Sequence, residues 1–83
     1  MDLKYANRTF IFENKITKNI VEINNHQRSL YDSIDAVKNS FYNIEESIYD
    51  YNLIDAYMIN GIRKKENILD KVKSILNIEI HNE

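Results

Sequence analysis

ITKNIVEINNHQRSLYDSIDAVKNSFYNIEESI, residues 16–48, decides how this chain is read. Apolar residues recur through it at Ile16, Ile20, Ile23, Leu30, Ile34, Val37, Phe41, Ile44 and Ile48, and Tyr51 follows. Steps of three and four place such residues on one stripe of a helix, the seam of a coiled coil. One seam position, Gln27, is polar. The spacing predicts a helix over 13–50, about 57 Å long at 1.5 Å per residue. Asn24 and Asn25 are its weak point, because asparagine favours caps and turns over helix interiors. A break there gives a three-helix bundle instead.

Downstream, Asn52 reads as an N-cap, with Asp55 three residues later in a near capping box. A turn at 51–53 and a second helix over 53–77 follow. That helix carries a wider stripe: Ile54, Met58, Ile62, Ile68, Leu69, Val72, Ile75 and Leu76. The heptad frame also runs through the turn without slipping, so one long helix in a swapped dimer satisfies the same register. Asp55 and Lys65 on the seam weigh against it.

Charge sets the expected orientation. Residues 29–60 hold Asp32, Asp35, Glu45, Glu46, Asp50 and Asp55 against one base, Lys38. Residues 61–75 hold Arg63, Lys64, Lys65, Lys71 and Lys73 against Glu66 and Asp70. Folding at residue 52 sets the basic segment against the acidic one. Each exposed pair is worth only about 0–1 kcal/mol, but together they select an antiparallel arrangement. The expected fold class is therefore all-α: a long antiparallel helical hairpin or coiled coil. Residues 1–12 lie outside the seam and form an N-terminal arm, or a short strand where Thr9–Phe12 lean towards β-structure.

Composition removes several function classes. The chain has 83 residues, a net charge of −2, no cysteine, no proline and one glycine. Disulfides, thiol catalysis and cysteine-bound zinc are excluded. One glycine cannot build a phosphate-cradling loop. His26 and His81 match no ligand spacing, and Ser29, Ser33 and Ser40 lack a nucleophilic arrangement. No enzyme, metal or cofactor is expected. No apolar run is long enough to span a bilayer and no signal pattern opens the chain, so a cytoplasmic protein is expected. Twelve asparagines and fourteen isoleucines read as the product of an AT-rich bacterial or phage genome.

What remains is binding. The hairpin leaves the start of the seam uncovered, and exposed apolar stripes mark interaction surfaces. The expected function is a small protein–protein interaction module, an adaptor, chaperone or inhibitor, that binds through helical surface. Its contact residues are Ile16, Ile20, Ile23 and Gln27, with Tyr42 and Tyr49 as a second face. The partner is another protein or a second copy. The alternative is a small DNA-binding regulator that uses Arg63, Lys64, Lys65, Lys71 and Lys73.

Overall fold

The computed structural model describes residues 5–59 and 64–81, with side chains of the last helix described as far as Asn77. It is not an all-α hairpin. The order is β1 (Ala6–Asn14), β2 (Ile20–Gln27), α1 (Leu30–Asn43), a 3-10 turn (Ile48–Asp50), β3 (Tyr51–Ile59), β4 (Lys65–Asn67) and α2 (Leu69–His81). The strands form one antiparallel sheet in the order β2-β1-β3-β4. Two ββα units therefore meet back to back at the β1–β3 pair. Their strands begin at matching offsets, 6 and 20 in the first unit, 51 and 65 in the second.

β1, placed in the arm by the sequence reading, is a central strand. Its alternate residues Ala6, Arg8, Phe10 and Phe12 are buried beneath the helices. α1 lies against β2 and α2 against β3. One core joins them: Phe10, Phe12, Leu53 and Ala56 from the sheet, Ile34, Val37 and Phe41 from α1, and Ile68, Val72 and Leu76 from α2. Phe12 meets Phe41 edge-on at 4.9 Å between ring centroids, and Tyr51 completes the stack at 5.1 Å. Full burial of each such ring contributes about 1.5–3 kcal/mol.

Two local devices produced the helical spacing. In β2 the inward residues are Val21, Ile23, Asn25 and Gln27, set by their pairing with Phe12, Phe10, Arg8 and Ala6. Ile20 points to the opposite face, so the step from Ile20 to Ile23 joins two sides of a strand. In β3 the pairing jumps from Ile11–Asp55 to Phe12–Leu53, which leaves Ile54 as a bulge. The inward residues are then Tyr51, Leu53, Ala56 and Met58. The step of three from Leu53 to Ala56 imitates a helix turn. Asn52 is a strand residue opposite Glu13 and caps nothing.

Only Leu30–Asn43 and Leu69–His81 of the expected helices are helical. α1 starts where Ser29 Oγ accepts the Asp32 amide at 3.1 Å. It ends in a left-handed residue, Glu45 at φ 60°. The Glu46 amide donates to Phe41 O and the Glu45 amide to Tyr42 O, both at 3.0 Å, the bonding of a Schellman cap. α2 begins with the Leu69 amide on Asn67 Oδ1 at 2.9 Å. The charge-paired hairpin is gone with the long helices, because each helix packs on the sheet.

Candidate functional site

The sheet has two edges, and they differ in chemistry. β4 is three residues long and carries Lys65 and Glu66. Short length and charge are the usual guards of a sheet edge. β2 is eight residues long, IVEINNHQ, with no proline, lysine or bulge.

The direction of its main-chain groups follows from the bonds at the strand ends. The Asn14 amide donates to Asn19 O at 2.8 Å, so the pair 14–19 is a hydrogen-bonded one. Antiparallel pairs alternate between bonded and non-bonded. The bonded residues of β2 are then Val21, Ile23, Asn25 and Gln27. Lys15 donating to Asp50 O at 2.9 Å gives the same parity on the other side of β1. The N–H and C=O groups of Ile20, Glu22, Asn24 and His26 therefore point away from the sheet. No described residue pairs with them.

These four side chains belong to the sheet face opposite the helices. Thr9 Oγ1 donates to Asn24 Oδ1 at 2.6 Å, which holds Asn24 upright on that face. The His26 ring lies 5.4 Å from that of Tyr5. Ile11, Asp55, Tyr57 and Ile59 continue the face, and the Lys65 ammonium sits 4.2 Å above the Tyr57 ring.

Behind the edge, under the start of α1, lies a polar cluster. Arg8 is buried and donates to Gln27 O at 3.0 Å and to Ser33 Oγ at 3.1 Å. Both acceptors are neutral. Burial alone holds the guanidinium below its ordinary pKa. Asn25 Nδ2 donates to Ser33 O at 3.1 Å, while Asn25 Oδ1 is buried with no partner among the described residues.

The residues expected to bind do not share a surface. Ile16 is in the β1–β2 turn, 88 % exposed, and Ile20 opens β2 at 55 %. Ile23 packs on the core and Gln27 caps Arg8. Tyr42 is 81 % exposed near the end of α1, and Tyr49 lies in the 3-10 turn. The helix stops at Asn43, so Tyr42 and Tyr49 never share a helical face. The basic set is likewise divided. Lys65 covers Tyr57 on the open face, Lys71 and Lys73 are exposed on α2 behind the sheet, Lys64 precedes β4, and Arg63 lies outside the described residues.

A groove of about 920 Å³ runs between the start of β3 and α2, floored by Phe12, Leu53 and Leu76. Its rim sets Lys15 and Lys73 beside Asp70. Among the described residues no three His, Asp or Glu side chains converge on a metal position, and no helix is long and apolar enough to cross a membrane.

Glu22, Asn24 and His26, the residues that make the edge, escaped the sequence reading. Their signal was the alternation in residues 20–27, with Val21 and Ile23 separated by polar neighbours.

The fold and site define a small α+β protein: a four-stranded antiparallel sheet, helices on one face, one strand edge free. Comparison with protein-family models, curated proteins and solved structures gives no match.

Proposed function

We propose that this chain is a small protein-interaction module that binds by taking an extended strand onto the free edge of β2. The observation that carries the reading is the run of outward main-chain donors and acceptors at Ile20, Glu22, Asn24 and His26, on an edge eight residues long with no proline, lysine or bulge. A flat edge of this length is a template for another strand, in which main-chain bonds supply affinity and alternate side chains supply selectivity. Binding is through the sheet, not through a helical seam.

Amide exchange with a Glu22→Pro control tests the reading. Proline at 22 removes an edge donor but no bond to β1. In dilute protein the amides of Ile20, Glu22, Asn24 and His26 exchange quickly while those of Val21, Ile23 and Asn25 are slow. Binding slows the first set, and Glu22→Pro abolishes that change while leaving the circular dichroism of the fold intact. Protection of the first set in dilute monomer, or binding untouched by Glu22→Pro, would sink the proposal.

A further inference from the structure

We infer that the strand taken up at this edge is β2 of a second copy, paired antiparallel about a two-fold axis at Asn24 to give one eight-stranded sheet. The inference rests on the edge reading above and adds the identity of the occupant.

Geometry restricts the registers. Only even-numbered β2 residues direct main-chain groups outward, so Ile20, Glu22, Asn24 and His26 must bond to their counterparts in the other strand. The two-fold axis then passes through a single residue. At Asn24, every residue of β2 after Ile20 finds a partner within β2, and Ile20 meets Arg28. An axis at Ile23 leaves Gln27 without a β2 partner, and an axis at Glu22 sets two carboxylates face to face.

The Asn24 register also sets an acid against a base within β2. Glu22 is the only acid in β2 and His26 its only ionisable base. The pairing places each Glu22 opposite the partner's His26, twice per dimer. Within one chain Asn24 Nδ2 reaches the Glu22 carboxylate only at 3.5 Å, which leaves that carboxylate open to a closer donor. Opposite charges directly across an antiparallel pair stabilise it, and like charges oppose it.

On the helix-covered face the same register sets the two Asn25 side chains at diagonal positions across the axis. Asn25 Oδ1 is buried without a partner among the described residues. Its Nδ2 has a second hydrogen beyond the one given to Ser33 O. The chain already joins two ββα units edge to edge through β1 and β3. The dimer extends the same kind of antiparallel edge pairing between molecules, through β2.

Light scattering over a range of concentrations tests this. The expected mass is twice the 9.9 kDa of the chain. Glu22→Lys and His26→Glu each weaken the dimer by about three- to thirtyfold, and the double charge swap restores it. Asn24→Cys, in a chain without other thiols, forms a disulfide-linked dimer on oxidation, because bonded pairs stand about 5.5 Å apart between Cα atoms, within disulfide range. Lys73→Cys on α2 does so far more slowly. A monomer whose edge amides are protected by an extended peptide from another protein overturns the self-pairing and leaves the edge reading standing. A dimer indifferent to all three β2 changes overturns the self-pairing as well. A monomer in which Glu22→Pro alters no binding removes both.

Discussion

The guanidinium of Arg8, in the central strand β1, donates to the hydroxyl of Ser33, in the first turn of α1, across 3.1 Å of buried space. The bond ties helix to sheet without a carboxylate, so a buried positive charge is held by neutral oxygens. Ser33→Ala removes one of them and costs about 1–3 kcal/mol in urea unfolding. Arg8→Met keeps the stem and discards the charge. The double variant Arg8→Met/Ser33→Ala should be more stable than Ser33→Ala alone, because an apolar pair needs no compensation. Since burial lowers the pKa of Arg8, the unfolded chain holds this proton more tightly. Its pH effect is a rise of stability with pH, confined to strongly alkaline solution.

Glu45 occupies the left-handed position of the α1 cap at φ 60°, and Lys18 does the same in the β1–β2 turn at φ 68°. A side chain there costs about 1–2 kcal/mol, part of which glycine gives back through its freer unfolded state. Glu45→Gly and Lys18→Gly should each raise stability by about 0.5–1 kcal/mol, read as a higher urea midpoint at constant slope.

Phe10 is fully buried where β1 passes under both helices, whereas Ile16 is 88 % exposed. Phe10→Ala should cost about 3–5 kcal/mol and unfold much of the protein. Ile16→Asp should change stability by less than about 0.5 kcal/mol. The helical hairpin would have left Phe10 in an N-terminal arm, so the thermal melt of Phe10→Ala separates the architectures directly.

The parity of β2 predicts an alternating proline tolerance. Glu22→Pro leaves the ladder to β1 intact, while Ile23→Pro removes a ladder bond and a side chain packed on the core. Ile23→Pro should therefore lower the urea midpoint far more than Glu22→Pro. Equal losses would place the outward groups on the wrong residues.

Parts of this architecture are written locally. Ile34, Val37 and Phe41 mark the buried stripe of α1, and Ile68, Val72 and Leu76 that of α2. The β-leaning run Thr9–Phe12 marks the central strand. Ile20 and Ile23 misled because isoleucine stands on both faces of β2. Leu53 and Ala56 misled because a bulge turns a two-residue period into a step of three. The edge residues were hidden for another reason: Glu22, Asn24 and His26 are polar, and only strand order makes an edge of them.

The amino-acid sequence alone determined the apolar stripes of both helices and the absence of thiol chemistry. Those depend on neighbours within a few residues, where spacing and side-chain type suffice. Tertiary structure decided that residues 6–14, 20–27, 51–59 and 65–67 are strands, that the chain doubles a ββα unit, and that β2 is left at a free edge. Strand pairing joins residues far apart in the chain, such as Phe10 with Ala56. The period of an isolated segment does not encode such a partnership.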